Sequence, residues 1–246
     1  MTEYITSEIV DGVMRITIDR PEAKNALTKA MYAALRDCYR RAYRDDAITA
    51  VVLEGNETSF ATGGDLKEML ASLEDEGSLD VFAYDESVPF EAIRSLPKPT
   101  IAKVDGLCLG GGLTLALVSD IVIAGDGTRF AMPESKVGIV DGHMPRLLRD
   151  RVPSAWLRYW LFSGAMFSAA EAFQAGLVTR LVPSEELEDT VRSVLTDLAK
   201  ASPHAIRLYK KILNETRPLS SMEDAYETML GADARARLDA FSNRPR

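Results

Sequence analysis

The order of apolar and polar residues along the chain predicts alternating strands and helices. The opening segment EIVDGVMRITID alternates on both sides of an Asp-Gly turn, which is typical of a β-hairpin. From Thr28 to Asp45 the apolar residues recur at helical spacing, which predicts an amphipathic helix. The run ITAVVLEG is short, continuous and rich in β-branched residues, which is typical of a strand buried on both faces.

A strand, a loop and a helix then follow one another repeatedly. The strand ITAVVLEG leads into the polar loop NETSF and a helix that starts at DLKEML. The next unit has PTIAKV as its strand, LCLGGG as its loop and LTLALVSD as its helix, and IVIAG returns as a third buried strand. Such repetition indicates parallel crossovers with right-handed connections, so we predict an α/β fold.

Beyond about residue 150 the pattern becomes mostly helical. In ELEDTVRSVLTDLAKA the apolar residues line one helical face: Leu187, Val191, Val194, Leu195 and Leu198. From about residue 180 the helices look too few to enclose a core of their own. We therefore predict a core domain over residues 1–180 and a helical C-terminal region over residues 181–246 that docks on a neighbouring subunit.

Composition narrows the class of protein. The 246 residues are 46% hydrophobic and 27% charged, which are ordinary values for a soluble globular protein. The formal charge of -8 comes without a dense basic run, which argues against nucleic acid and anionic membranes as partners. No apolar run is long enough to span a bilayer and no signal peptide is visible at the start, so we expect a cytoplasmic protein.

Familiar nucleotide and catalytic motifs are missing from the sequence. Neither glycine-rich stretch carries the Lys and Ser or Thr of a phosphate loop, and neither fits a dinucleotide fingerprint. There is no G-x-S-x-G elbow and no H-E-x-x-H pair. Two histidines, His143 and His204, are too few for a histidine-rich metal site, and Cys38 and Cys108 lack metal spacing. We therefore predict no metal site.

Glycines stand at two helix entrances, in ATGGDLKEM and in LCLGGGLTLA. Helix N-termini carry unpaired N–H groups and a partial positive charge, which favour anions. If the two units lie side by side, one N–H from each could bind the same oxygen as an oxyanion hole. From spacing alone, glycines that merely permit tight turns and close packing explain the pattern as well.

A candidate acid or base lies in the segment FAMPESKVGIVDGHMPRLL. Pro133 and Glu134 fall in a predicted loop after a buried strand, where a carboxylate that faces a cleft could transfer protons. Asp141 and His143 follow within ten residues. A solvated loop carboxylate and a packing histidine remain the alternative interpretation.

Taken in order, these segments resemble the crotonase superfamily, the enoyl-CoA hydratase/isomerase family. The resemblance rests on DRPEAKNALTKAM, SFATGGDLKEM, KPTIAKVDGLCLGGGLTLALVSDIVIAG and RFAMPESKVGIV, then on FSGAMFSAAEAFQAGLVTRLVP and the closing DAFSNRPR. It implies a crotonase-like α/β spiral of ββα units with a helical C-terminal region, assembled as a homotrimer or a dimer of trimers. It also implies an acyl-CoA thioester substrate, with coenzyme A as part of the substrate and no separate cofactor.

The resemblance also assigns roles to residues. Gly64 and Gly111 match the two positions whose backbone N–H groups hold the thioester carbonyl, and Glu134 matches a catalytic glutamate. Asp141 and His143 are further catalytic candidates. The positions that match contacts to CoA or to the acyl group are Lys24, Ala26, Thr62, Gly63, Asp65, Leu66, Gly110, Pro133, Gly138, Phe241 and Arg244.

One position departs from the family pattern. Hydratases of the family commonly use two glutamates, and the first of these positions holds Thr114, which cannot act as acid or base at neutral pH. Loss of one such group typically costs about 10²–10⁴ in rate. We therefore favour isomerase-like chemistry with Glu134 as the one acid/base over plain hydration.

Two alternatives stay open. In the first, Asp141 or His143 replaces the missing acid and permits hydration, hydrolysis of a β-diketone, or the carbon–carbon chemistry of decarboxylases and carboxymethylproline-synthase-like relatives. In the second, the protein binds acyl-CoA with little turnover. The acyl-group specificity is expected to depend on residues 71–96 and on the segment after Glu134.

Overall fold

A computed structural model describes residues 2–56, 58–74 and 89–215, together with residues 236, 239 and 240. The strands are β1 (Ile5–Val10), β2 (Val13–Ile18), β3 (Ala50–Glu54), β4 (Ser59–Ala61), β5 (Thr100–Val104), β6 (Leu107–Leu109), β7 (Ile121–Gly125), β8 (Arg129–Ala131), β9 (Met166–Ser168) and β10 (Arg180–Val182). The helices are α1 (Lys29–Arg44), α2 (Leu66–Glu74), α3 (Phe90–Ser95), α4 (Gly111–Val118), α5 (Met144–Leu148), α6 (Ser154–Ser163), α7 (Ala169–Gln174), α8 (Leu187–Ala199) and α9 (Pro203–Glu215). Short 3-10 helices cover Pro21–Ala23, Pro133–Val137 and Ser184–Glu186. In the described ranges, no helix combines the length and the apolar character needed to cross a membrane.

The strands form two sheets that the chain visits in turn. The six-stranded sheet has the order β1-β2-β3-β5-β7-β10, with β1 and β2 antiparallel and the other neighbours parallel. The four-stranded sheet has the order β4-β6-β8-β9, with β4, β6 and β8 parallel and β9 antiparallel to β8. Each passage from β3 to β4, β5 to β6 and β7 to β8 adds one strand to each sheet and leads into a helical segment. The result is a spiral of ββα units.

Helix α1 illustrates how the apolar pattern becomes a core. The Thr28 hydroxyl oxygen accepts the Met31 N–H at 3.2 Å and caps the first turn. The residues of the predicted apolar stripe are buried: Met31, Leu35, Cys38, Tyr39 and Ala42. They join one large core that also contains buried side chains of both sheets.

A second, smaller core lies between the larger sheet and α8. Val52, Ile101 and Ile123 come from the adjacent strands β3, β5 and β7, and they pack against Leu187 and Val191 of α8. Strand β10 pairs with β7 at the edge of the same sheet. The predicted boundary between residues 180 and 181 therefore falls within β10, and the division into two regions stays a prediction.

The predicted elements are present with some changes. The helix from Lys29 and the strands β3, β5 and β7 lie within the predicted segments, and the predicted hairpin is present with a first strand that begins earlier, at Ile5. The predicted loops NETSF and LCLGGG are wrong in part, because β4 begins within the first loop and β6 lies within the second. A strand of three residues is too short for its alternation to be recognised. The helix after the glycines begins at Gly111 and not at Leu113, so two of the glycines belong to its first turn.

Candidate active site

Three neighbouring strands of the smaller sheet bring the candidate residues together. Because β4, β6 and β8 are parallel neighbours in this order, their carboxyl ends lie at one edge of the sheet. The loop 62–65 follows β4, the three consecutive glycines follow β6, and Glu134 follows β8. Groups beyond the carboxyl ends of parallel strands commonly form ligand sites in α/β proteins.

In the loop after β4, the Gly64 N–H points away from the segment around Leu27, with which the loop pairs. Leu27 donates its N–H to the Gly63 carbonyl at 2.8 Å and accepts the Asp65 N–H at 2.9 Å. These two bonds make a parallel bridge between Leu27 and Gly64. Successive N–H groups in such a bridge point to opposite sides, so the Gly64 N–H faces away from Leu27. It has no acceptor among the described residues.

The three glycines after β6 keep the backbone bare for different reasons. Gly110 has a φ of 52° and a ψ of -129°, a conformation that favours glycine. A Cβ on Gly111 would lie 2.5 Å from the Tyr32 hydroxyl, and a Cβ on Gly112 would lie 2.2 Å from the carbonyl oxygen of Ala61. Gly112 therefore allows α4 to approach β4, whereas the first two glycines leave accessible backbone where α4 begins.

The two glycine loops meet at this point. A Cβ on Gly63 would lie 3.3 Å from the Gly111 nitrogen, and the Gly110 N–H donates to the Ala131 carbonyl at 3.0 Å. The Gly111 N–H, in the first turn of α4, has no acceptor among the residues that the structure describes. Unpaired N–H groups at a helix start attract negative charge. Together with the Gly64 N–H, they are suited to bind an oxyanion.

Glu134 faces the glycine loops from the third strand end. Its Oε1 lies 2.8 Å from the position that a Cβ on Gly110 would take. Its Oε2 is buried and has no hydrogen-bond partner within the described part of the chain. Burial, and after it the charge of Asp141, raise the pKa of Glu134 to about 8. A carboxyl group with a pKa near neutrality is suited to accept and return a proton.

Asp141 is a second carboxylate beside the site. Its Oδ2 accepts the Thr114 hydroxyl at 3.0 Å, and its Oδ1 accepts the N–H groups of His143 at 2.6 Å and Met144 at 2.9 Å. Burial raises the pKa of Asp141, but the His143 side chain and the two N–H groups hold it below its usual value. The carboxylate therefore stays charged, which explains its effect on Glu134. At the position of Thr114 the family resemblance implies a glutamate in hydratases. Here the threonine hydroxyl instead binds a neighbouring carboxylate, that of Asp141.

Several predicted CoA contacts group beside the Gly64 loop. The Thr62 hydroxyl donates to the Lys24 carbonyl at 3.0 Å. Lys24 and Asn25 both have positive φ, at 50° and 58°. The buried Asn25 amide holds this turn, because the two N–H groups of its Nδ2 are shared among three carbonyl oxygens of the chain around β2 and β4, at 2.9, 2.7 and 3.1 Å. Ala26 follows directly, so Lys24, Ala26 and Thr62 lie together next to the first glycine loop.

The remaining predicted contacts lie at element ends. Leu66 begins α2 directly after Asp65, whose Oδ1 accepts N–H groups of the first turn. Pro133 begins the 3-10 helix that carries Glu134, and Gly138, with a φ of 76°, ends it. Two predicted contacts lie outside the described residues: Phe241 and Arg244.

Three residues beside the site are absent from the sequence-based predictions: Tyr32, Phe90 and Arg20. The rings of Tyr32, Phe90 and the predicted His143 form a series of edge-to-face contacts, with centroids 6.2 Å and 4.9 Å apart. The Tyr32 hydroxyl reaches Gly111, but the apolar pattern of α1 does not distinguish Tyr32 from an ordinary core residue. Arg20 donates to Asp65 at 2.7 Å. The sequence signal that could have indicated Arg20 is a charged residue between a predicted strand and Pro21.

The fold and the site together indicate which family the chain belongs to. The fold is a spiral of ββα units, and the site has backbone N–H groups and a buried carboxyl group at adjacent strand ends. The sequence profile of the enoyl-CoA hydratase/isomerase family matches residues 8–242. The chain belongs to this family, within the crotonase superfamily. The expected crotonase-like α/β fold is thereby confirmed.

Relatives within the family differ in the reaction that their names state. The 1,2-epoxyphenylacetyl-CoA isomerase of Escherichia coli is 33% identical over 98% of this chain and 96% of its own length. The 2,3-dehydroadipyl-CoA hydratase of Escherichia coli is 34% identical over 89% of this chain and 85% of its own. A crystal structure of an enoyl-CoA hydratase/isomerase from Pseudoalteromonas atlantica T6c has a TM-score of 0.84 at 29% identity and covers 99% of each chain. Family membership alone therefore does not select the reaction.

Proposed function

We propose that this chain is an acyl-CoA enzyme that polarises a thioester carbonyl with two backbone N–H groups and moves a proton with one carboxyl group. The donors are Gly64 and Gly111, and the proton carrier is Glu134. The observation that carries the proposal is the meeting of three strand ends. Two N–H groups without acceptors and a buried carboxyl group lie there side by side, all within the described residues. Membership of the family supports an acyl-CoA substrate.

The favoured reaction is migration of a double bond in a 3-enoyl-CoA. The Glu134 carboxylate removes a proton from the α-carbon, and the electron pair moves into the thioester carbonyl to give a dienolate. The N–H groups of Gly64 and Gly111 stabilise the oxyanion, and loss of a single such donor costs about 2.7–4 kcal/mol. Glu134 then returns the proton to the γ-carbon, which leaves the double bond conjugated with the thioester. These steps require no metal and no redox cofactor.

The environment of Glu134 favours this role. Its pKa of about 8 makes the carboxylate a stronger base than an ordinary glutamate; at neutral pH the protonated form predominates and the carboxylate is still populated. The same group can therefore take the α-proton and deliver it to another carbon. Exclusion of water from Oε2 keeps the proton on the substrate and the enzyme between the two transfers.

Hydration is the second candidate reaction, and the Thr114–Asp141 hydrogen bond favours it. This bond of 3.0 Å holds a charged carboxylate close to Glu134. Asp141 or His143 would then orient and deprotonate a water molecule, while Glu134 would protonate the α-carbon. The hydratase among the relatives supports this alternative. Carbon–carbon bond chemistry on the same enolate would use the same residues and stays a prediction.

The binding of CoA and the assembly of subunits belong to the same proposal. The exposed Lys24 with Ala26 and Thr62 would contact the CoA portion, because an anionic phosphate favours a cationic side chain near the entrance. A homotrimer or a dimer of trimers would cover apolar side chains that are exposed on and after α6. These are Tyr159 at 60%, Phe162 at 72%, Met166 at 47% and Phe173 at 48% exposure.

The test uses purified protein with crotonyl-CoA and, separately, with a 3-enoyl-CoA. Each reaction is run in deuterated water and in oxygen-18 water, and product masses are read by mass spectrometry. Double-bond migration without oxygen-18 uptake would support the single-base mechanism of Glu134. Oxygen-18 in a 3-hydroxyacyl product would support hydration. Binding without turnover across a broad acyl-CoA panel would contradict both reactions and leave a binding protein.

A further inference from the structure

Arg20 connects the turn that carries Lys24 to the loop that carries Gly64. Its Nη1 donates to the Asp65 carboxylate at 2.7 Å and to the Ala26 carbonyl at 2.9 Å. Its backbone N–H donates to the Asn25 side chain at 2.7 Å. One side chain at the end of β2 thus holds both loops at the entrance to the candidate site.

Asp65 transmits this contact directly to the first oxyanion donor, because it is the residue after Gly64. Its backbone N–H donates to the Leu27 carbonyl, and its Oδ1 accepts the N–H groups of Lys67 at 2.9 Å and Glu68 at 3.3 Å. The carboxylate is therefore bound on one side to the start of α2 and on the other to Arg20. A displacement of Asp65 would rotate the peptide plane that contains the Gly64 carbonyl and would shift the neighbouring Gly64 N–H.

The ion pair is partly shielded and held from several sides. The side chains of Arg20 and Asp65 are only 18% and 13% exposed. Burial raises the pKa of Asp65, but Arg20 and the two α2 N–H groups hold it below its usual value, so the pair stays charged. The Tyr4 ring lies 5.5 Å from the guanidinium carbon, and a Glu22 oxygen lies 3.4 Å from Nε. The guanidinium group therefore has a defined place.

We propose that Arg20 is a positioning residue that keeps the Gly64 N–H aimed at the thioester carbonyl. The inference rests on the proposed function, in which Gly64 is an oxyanion donor. Displacement of a catalytic group by about 1 Å can cost about 10²-fold in rate, so a fixed donor needs fixed neighbours. A merely structural ion pair would affect stability without affecting how strongly the carbonyl is polarised.

The experiment measures polarisation of the carbonyl directly. Butyryl-CoA with a carbon-13 carbonyl has no double bond to migrate or hydrate, and isotope-edited infrared spectroscopy reads its C=O stretch when it is bound. We expect a red shift in the wild-type protein and a smaller red shift in Arg20→Met. With a 3-enoyl-CoA, kcat should fall by roughly 10- to 100-fold, while KM changes much less. Arg20→Lys should be intermediate, since one ammonium replaces a planar fork.

Arg15→Met is the matched control. Arg15 is 19% exposed and pairs with Glu54 and Glu188, away from the glycine loops. This variant should lower the melting temperature but leave the C=O frequency and kcat unchanged. Asp65→Asn provides a second disruption if Arg20→Met does not fold, and it should also reduce the red shift.

The outcomes distinguish the positioning role of Arg20 from the proposed oxyanion role of Gly64. A wild-type red shift that persists in Arg20→Met, or in Asp65→Asn when only that variant folds, would overturn the positioning role of Arg20 and leave the proposed function intact. No red shift in the wild-type protein would instead contradict the oxyanion role of Gly64, and the inference would fall with it. A loss of red shift in Arg15→Met as well would show a general effect of stability and would also overturn the inference.

Discussion

The candidate site has two halves: one consists of backbone N–H groups and the other of side-chain carboxyl groups. On the glycine side, both proposed donors are backbone N–H groups that follow β4 and β6, and their directions are set by neighbouring hydrogen bonds. On the carboxylate side, the candidate groups are side chains: burial and the charge of Asp141 raise the pKa of Glu134, whereas His143 and two backbone N–H groups lower the pKa of Asp141 against its burial. The donors cannot change charge with pH, whereas the carboxyl groups can.

This difference predicts two kinds of sensitivity. The glycine side should respond to volume, because a Cβ meets Tyr32 at Gly111 and Glu134 at Gly110. The carboxylate side should respond to charge and pH, with little change of shape. The following variants test this contrast, beginning with the largest expected effect.

Glu134→Gln removes the proton carrier and preserves its volume. We expect the rate of α-proton exchange in deuterated water to fall by about 10²–10⁴. Binding of butyryl-CoA, measured by calorimetry, should change little, because Glu134 is not a donor to the carbonyl. Unchanged exchange in this variant would remove Glu134 from the mechanism and favour Asp141.

Gly111→Ala introduces a methyl group 2.5 Å from the Tyr32 hydroxyl and should displace the second donor. Loss of one oxyanion donor typically costs about 10²–10³ in kcat, so we expect a fall that approaches this range. The double variant Gly111→Ala/Tyr32→Phe removes the hydroxyl that causes the clash and should recover part of the activity. Tyr32→Phe alone serves as the control. If the double variant is no more active than Gly111→Ala, the steric explanation is contradicted.

Asp141→Asn removes a charge that raises the pKa of Glu134. The pKa of Glu134 in the folded protein, about 8, should therefore fall, and its carboxylate should form at lower pH. The acidic limb of the pH profile of kcat/KM for isomerisation should move to lower pH. The move should be partial, since burial is the larger cause and remains.

Asp197→Asn is the control for this profile. Asp197 is 75% exposed on α8 and pairs with Lys200, so its loss should leave the profile unmoved. An equal shift in both variants would point to the net charge of the protein and not to the Asp141–Glu134 interaction.

Thr114→Val should have the smallest effect on isomerisation. It removes the hydroxyl that donates to Asp141 and leaves a buried carboxylate with one bond fewer. The free energy of unfolding should fall by about 1–3 kcal/mol in urea titrations. Thr114→Ser should remain close to the wild type. If hydration activity falls much more than isomerisation, the result would favour the hydration mechanism in which Asp141 and Glu134 both take part.

The local pattern predicts the parts of the fold that contain long apolar runs. The helix from Lys29 and the strands β3, β5 and β7 belong to this group. Strands β4 and β6 were missed because each has three residues and its pairing joins segments far apart in the chain. These short strands determine which loops meet, so local periodicity could not show that the two glycine loops are neighbours.

The site shows the same division. Glycines at helix entrances and the Pro133–Glu134 pair were recognisable from the sequence, and their place at adjacent strand ends agrees with a shared site. The Thr114–Asp141 bond joins residues 27 positions apart, and no spacing rule marks a hydroxyl as the partner of that carboxylate. The contact of Arg20 with Asp65 spans 45 positions and depends on how the turn after β2 folds back.

The placement of each functional group on a separate turn of the spiral has an evolutionary consequence. In the proposed mechanism, substitutions around Glu134 on the third turn would redirect the enolate to a new product without disturbing the proposed donors on the first two turns. The chain between turns can also change in length while the paired strand ends stay in register. Under the proposed mechanism, new chemistry would therefore arise one turn at a time, with the thioester held in the same place.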